Sequence, residues 1–508
     1  MKKPVILITA RIFFISVSCF SQPGSLDPSF GTEGIVITDV GDLDFCESVL
    51  IQPDRKIVIA GTSDENIAVI RYNTDGTLDN TFGDNGIVIT EEPCCYGSAM
   101  VQQSDGKILV AGHIYIYTGP DSNFDVYLVR YNINGTLDTT FSVDGKVITD
   151  PGGDNYIHSM ALQSDGKIVL TGQSDNYIVV LRYNTDGSLD HNFGINGIVN
   201  TSVGGLEDNG NSVVIQPDSK IVVAGSSYNN STHDDIVVLR YNSNGTPDTG
   251  FGDEGIVITD IEDNNDIALA IVLQPDGKIL AAGYTENVST DFIVLRYNSD
   301  GSLDNTFSVD GKSITDLGSL DRARSLAIQP DGKILATGFT RNGDNDDLAL
   351  VRYNPDGTLD LTFDEDGKVV TDFNNSPNYG NALKLQANGK IVVAGHIYSP
   401  YNFMVARYLS GLNLGIVYFS DQSISPLIYP NPIQNETTLK YELKKEENIS
   451  IELYDMKGER VQTFFSHERK SSGIHEEKIN IAQTIPPGTY LLVISNNVGR
   501  QSILISKD

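Results

Sequence analysis

Arg71-Tyr72-Asn73-Thr74-Asp75-Gly76-Thr77-Leu78-Asp79-Asn80-Thr81-Phe82 decides the architecture, because it returns. Arg-Tyr-Asn begins again at Arg130, Arg182, Arg240, Arg296 and Arg352, with a degenerate copy at Arg407. Leu-Asp-x-x-Phe ends on Phe30, Phe82, Phe141, Phe193, Phe251, Phe307 and Phe363, with Pro247 replacing Leu in the fifth copy. Gln-Pro-Asp-Gly-Lys or a variant starts at Gln52, Gln103, Gln163, Gln216, Gln274, Gln329 and Gln386. Three independent markers, each in seven copies at a mean period of 56 residues, establish an internal repeat.

Each repeat carries four short runs rich in Val and Ile. In the first they are Gly34–Thr38, Ser48–Gln52, Lys56–Gly61 and Ile67–Tyr72, all bounded by Asp, Asn, Gly or Pro. Such runs read as strands between turns, and no stretch holds a helical period. Seven times four antiparallel strands predict an all-β, seven-bladed β-propeller over residues 25–410, a ring that hides its sheet edges. An open solenoid would need atypical end repeats, and the first repeat is regular. Leu414–Phe419 copies the opening strand of a repeat and either helps close the ring or leads into the tail.

Spacing separates scaffold from function. From the Gln to the Gly ending the third run is nine residues in every copy, and from Arg to the next Phe eleven. From that Gly to the Arg the count is 10, 18, 10, 15, 13, 14 and 12. The turn between runs two and three is expected to share one face with the blade-to-blade connection, and the variable loops to lie on the other, where a ligand would be read. Asn73-Thr74-Asp75-Gly76 and its copies are turn residues. They lack the closing Glu of a calcium loop. Asp79, Asp138, Asp190, Asp248, Asp304 and Asp360 are expected to pair with the repeat's Arg or Lys as a blade clamp.

The longest variable loop, in repeat two, carries Tyr115, Tyr117 and Phe124, and repeat seven carries Tyr398, Tyr401 and Phe403. In a closed ring they flank repeat one, whose loop is short. This predicts a shallow recess walled by aromatic rings, with Asp44 and Asp64 as acceptors, suited to the C–H faces and hydroxyls of sugars. The competing reading is that these rings only cover blade ends.

Among 508 residues, 35 Lys or Arg face 67 Asp or Glu, a net charge of −32. That excludes a nucleic-acid binder and docking on an anionic membrane. Lys2, Lys3 and the apolar run Val5–Phe20 predict a signal peptide over residues 1–21, and Arg11 breaks any membrane span. Ser16 stands where a lipoprotein signal would place a bulky apolar residue before Cys19. Cys46, Cys94 and Cys95 make an odd set with no disulfide framework. The seven His form no metal spacing, and no nucleophile elbow or Walker loop is present. His113 and His396 recur at one blade position, which suits a strand-end structural role. No catalytic residue, metal or cofactor is therefore expected.

The composition shifts near Ile424. From Pro430 onward 10 Lys or Arg meet 11 Asp or Glu. After a linker at 411–428, six runs (439–443, 449–454, 461–465, 477–481, 489–494 and 502–505) predict a small β-sandwich over residues 429–508.

Arg-Tyr-Asn-x-Asp-Gly-x-Leu-Asp-x-x-Phe followed by Gln-Pro-Asp-Gly-Lys-Ile resembles the delta-60 repeat family of bacterial β-propellers. That resemblance implies the propeller fold and carries no catalytic residues. Tyr429-Pro430-Asn431-Pro432, Leu453-Tyr454-Asp455-Met456-Lys457-Gly458, Pro487-Gly488-Thr489-Tyr490-Leu491-Leu492 and the closing Lys507 resemble the type A sorting domain of the type IX secretion system. It implies export by that machinery, removal of the tail, and release or attachment at the outer surface. The expected product is a monomeric, secreted or surface propeller that binds a glycan or surface protein. The alternatives are a polysaccharide lyase or hydrolase with its site in the channel, and a structural or adhesion module.

Overall fold

The computed structural model describes residues 22–411, apart from 93, 120–121, 230–232, 263, 287 and 374. It also describes 427–507, apart from 430–432, 434–435, 444, 456–459, 487 and 496–499. The signal segment, Leu414–Phe419 and much of the linker lie outside the described residues.

Every described element is a strand. Seven four-stranded antiparallel sheets form the repeat region, and each is one blade. Blade 1 runs Asp44–Ile51, Ile57–Ser63, Asn66–Tyr72 and Ile87–Thr90 from the axis outward. Its outer strand therefore belongs to the next sequence repeat: repeat and blade are out of phase by one strand. The shift closes the ring. Blade 7 takes three strands from the end of the array (Asn378–Leu385, Ile391–Ile397, Asn402–Tyr408) and its outer strand, Ile35–Thr38, from the beginning. Ile35 faces Ala406 and Thr38 faces Phe403. Joining the two chain ends in one sheet leaves no unpaired edge at the seam. The connection between blades is consequently the segment before each inner strand, such as 39–43, and it lies with the variable loops. The expected placement on the constant-length face is corrected here.

The repeated residues hold blades together. Arg71 Nε and Lys56 Nζ donate to Asp79 Oδ2 at 2.6 and 2.8 Å, and the Thr81 amide and hydroxyl occupy Oδ1. The Arg71 guanidinium lies 4.5 Å from the Phe82 ring centroid. Its Nη1 reaches across the junction to Ile133 O at 2.7 Å. The same reach recurs from Arg130 to Thr185 O, Arg240 to Ser299 O and Arg296 to Pro355 O, and Arg407 closes the ring on Thr74 O. The repeat's Tyr adds a second staple: Tyr72 Oη bonds Thr38 and Tyr297 Oη bonds Thr259, each on the preceding blade's outer strand. Between these polar staples, Val, Ile and Leu of adjacent blades interlock in fully buried clusters.

In the tail, Leu427–Tyr429, Glu436–Leu443 and Gly473–Asn480 form one sheet. Arg460–Lys470, Glu447–Tyr454, Gly488–Ser495 and Arg500–Lys507 form the other. Leu439, Ile451, Ile479 and Leu492 pack in a core shared by both sheets, the arrangement of a β-sandwich.

Candidate functional site: the channel mouth

The inner strand of every blade carries a β-bulge at one place. Pairing skips Glu47, Ser98, His158, Asn211, Leu269, Arg324 and Asn381 in blades 1 to 7. The neighbouring strand meets each bulge with a glycine, from Gly61 to Gly395. A Cβ there would stand 1.7–1.9 Å from the inner strand's carbonyl oxygen, so no other residue fits. A bulge re-aims its extra residue. All seven of these residues line one cavity of about 670 Å³ in the channel, at the end facing the variable loops. Two further rings complete the wall: Phe45, Tyr96, Asn209, Ile267 and Arg322 on inner strands, and Thr62, His113, Gln173, Ser226 and Tyr284 on second strands. The repeat markers are nearly identical from blade to blade, whereas these positions differ in almost every one.

Two cations enter this wall. The Arg322 guanidinium lies 4.3 Å over Tyr284, with Glu286 at 3.5 Å. Arg324 Nη1 donates to Asn381 Oδ1 at 3.1 Å, and its guanidinium stands 5.3 Å from the Phe339 ring and 5.9 Å from that of Tyr379. The Nε of both arginines is buried with no hydrogen-bond partner. Asn381 Nδ2 continues to Cys46 O at 2.9 Å and Glu47 Oε2 at 3.3 Å. Burial raises the Glu47 pKa, opposed by the charge of Arg324. Enclosure by the channel wall lowers the His158 pKa although the side chain is open to channel solvent, and burial, then His158, lowers that of His113. Both imidazoles are neutral at pH 7.

The sequence-derived aromatic residues sit outside this wall. Tyr115 packs on Phe124 at 5.0 Å, and Phe124 continues to Tyr96 and His113. Tyr117 is almost fully exposed. The Tyr398 and Tyr401 rings meet at a tilt of 58° with centroids 4.4 Å apart, and reach Phe45 at 6.4 and 5.5 Å. Two aromatic groups thus flank blade 1, whose variable loop is the tight turn of Asp64 and Glu65, both at positive φ. Three expected site residues also make contacts within the scaffold, and Asp64 stays exposed. Phe403 is wholly buried in the core between blades 7 and 1. Asp44 is wholly buried and accepts the Val40 and Gly41 amides. Asp64 accepts the Asp42 and Leu43 amides. His396 is buried and stacked on Tyr379, while its equivalent His113 reaches the cavity.

Sequence reasoning missed Glu47, His158, Tyr284, Arg322, Arg324 and Asn381. The signal was present: five residues before each marker Gln, the seven copies read Glu, Ser, His, Asn, Leu, Arg and Asn.

Fold and tail together define an exported seven-bladed β-propeller. The family described as "Domain of unknown function (DUF5122) beta-propeller" matches residues 52–82, 103–141, 163–193, 216–251, 274–307, 329–363 and 386–414, and the seven repeats belong to it. The secretion system C-terminal sorting domain matches residues 427–506. The protein is therefore delivered by the type IX secretion system to the cell surface or the medium, with C-terminal cleavage. No curated protein matches the chain. Among solved structures, virginiamycin B lyase from Staphylococcus aureus is similar at 11% identity and TM-score 0.45, covering 73% of this chain and 99% of that one. The polysaccharide lyase PL25 ulvan lyase is similar at 12% identity and TM-score 0.42, covering 76% and 93%. Sqt1 from Chaetomium thermophilum is similar at 12% identity and TM-score 0.40, covering 71% and 81%. These scores give no basis for transferring chemistry to this chain. Among the described residues no helix is long and apolar enough to cross a membrane.

Proposed function

We propose that the propeller is a monomeric binding module, displayed or released outside the cell, whose channel mouth holds an acidic carbohydrate. The observation that carries this reading is the pair Arg322 and Arg324, set among aromatic rings in a chain of net charge −32. The seven marker arginines are engaged in clamps and Arg341 pairs with Asp346, whereas these two line the cavity. A guanidinium suits the carboxylate or sulfate of an acidic sugar, Phe45 suits a ring face, and Asn209, Asn211 and Ser98 suit hydroxyls. Tyr115, Tyr117, Phe124, Tyr398 and Tyr401 form an outer rim that would contact further residues of a chain. A glycan is favoured over a surface protein because the recess is concave and polar at its floor.

The test is an array of neutral, uronate-bearing and sulfated oligosaccharides, followed by titration of Arg324→Ala. The expected result is selective capture of acidic glycans and a loss of at least about tenfold in affinity, the worth of one charge-assisted contact. Equal binding of neutral glycans, or an unchanged affinity in a folded variant, refutes it. A second reading, a polysaccharide-acting enzyme, is favoured by Glu47, a carboxyl with raised pKa in the field of Arg324 and bonded to Asn381. New reducing ends or unsaturated products from any captured glycan would select it.

A further inference from the structure

Past the bulge the inner strands run on toward the constant-length face, and the channel changes character. Three residues further along, about 10 Å at the rise of a strand, blades 1 to 6 hold Leu50, Val101, Ala161, Val214, Val272 and Ala327 in one register. Blade 7 holds Lys384 there, opposite Val392. A level that is apolar in the other blades thus carries one ammonium. Packing does not account for it, since an aliphatic side chain serves this position everywhere else in the ring.

The Lys384 side chain is exposed, although its strand is the innermost of blade 7 and packs between the inner strands of blades 6 and 1. The solvent such a strand can reach is that of the channel, so the ammonium stands in the lumen beyond the cavity at the mouth. The surrounding wall desolvates it and lowers its pKa.

A second observation concerns its partners. The marker lysines of all seven blades bond the clamp Asp. Lys146 bonds Glu92, Lys312 faces Asp310, and Lys368 donates to Asp316 O. Among the described residues of the propeller, Lys384 is the one lysine with no carboxylate or carbonyl partner, in a chain with 67 Asp or Glu. A desolvated charge without a counter-charge is costly to hold, and an anion arriving from outside relieves that cost.

We infer that Lys384 is a deeper subsite for a second acidic group, so that an acidic carbohydrate enters the channel lengthwise instead of lying across its mouth. The inference rests on the reading of the mouth as an acidic-carbohydrate site. Arg324, on the neighbouring blade, takes one carboxylate or sulfate at the level of the bulge, and Lys384 takes another further in. The aliphatic side chains at that level give hydroxyls no partner, so the charge selects what advances this far. Only a chain that extends beyond the fragment seated on Arg324 meets both cations.

Two measurements on the full chain test this, with chondroitin sulfate disaccharide and hexasaccharide as probes, since they carry both carboxylates and sulfates. The first is acetylation by an N-hydroxysuccinimide ester, read lysine by lysine by mass spectrometry. In the free protein Lys384 reacts faster than the paired marker lysines; the hexasaccharide protects it and the disaccharide does not. The second is calorimetric titration. Lys384→Met weakens the hexasaccharide by about tenfold, the worth of one charge-assisted contact, and leaves the disaccharide unchanged. Lys384→Arg retains hexasaccharide binding. Lys384→Met restores the aliphatic character of the other blades, and thermal unfolding verifies its fold. If Arg324→Ala weakens both sugars while Lys384→Met weakens neither, or if Lys384 still reacts under saturating hexasaccharide, the chain lies across the mouth: this inference falls and the binding reading stands. If neither sugar binds, both fall.

Discussion

Arg407 Nε, on the last strand of the array, donates to Asp27 Oδ2 at 2.7 Å, and Lys390 Nζ reaches the same oxygen at 2.6 Å. The ends of the repeat region are thus locked by the clamp that every other blade makes within one repeat. Asp27→Ala removes the carboxylate from a buried pair and is expected to cost about 3 kcal/mol. Unlike the equivalent Asp190→Ala, it also loosens the seam. Urea unfolding measures the loss. Hydrogen exchange should show Ile35–Thr38 and Asn402–Tyr408 deprotected in Asp27→Ala and protected in Asp190→Ala.

Acid should disable all clamps over one pH range. Asp27, Asp190 and Asp360 lie near 2 in the folded chain: burial alone would raise them, and the Lys, Arg, Ser, Thr and amide donors around them more than reverse it. Asp79, Asp138, Asp248 and Asp304 are lowered in the same way. Each folded pKa lies below the unfolded value of about 3.9, so the stabilisation is full above that value and vanishes as pH falls through the folded one. Tm should hold down to about pH 4 as far as these clamps decide it, then drop steeply toward pH 2. A flat profile over that interval would show that the clamps contribute little.

Tyr297→Phe keeps the buried ring and removes the 2.8 Å bond to Thr259 on the neighbouring blade. The expected cost is about 1 kcal/mol, with the Thr259→Val, Tyr297→Phe double variant recovering part of it. Tyr297→Ala empties a fully buried site and should cost about 3–5 kcal/mol. Thermal unfolding of the three variants distinguishes a polar staple from simple packing.

Residues 427–508 fused behind a folded reporter should direct it through the type IX machinery, and the chain truncated before 427 should stay in the periplasm. Fractionation of cells and medium reads both outcomes, and mass measurement of the exported product locates the cleavage.

Strands and blade number were legible because they depend on short-range facts, Val-Ile runs and Asp-Gly turns, multiplied seven times. The phase of the repeat was not, because a run such as Ile87–Thr90 has the same composition whichever sheet receives it. Part of the aromatic rim was legible from loop length. The burial of Phe403 and Asp44 was not legible, because one side of a strand faces the core and a one-residue difference in register decides which.

The sequence by itself determined the number of blades, the clamp residues and the secretion tail, since each is written as a local pattern that repeats or stands contiguous. Only the tertiary structure decided what the protein offers a ligand. Glu47, His158, Arg324 and Asn381 are far apart in the chain, and an identical bulge in four different blades turns them into one cavity. Ring closure brings them together, and that is a property of the whole fold rather than of any one repeat.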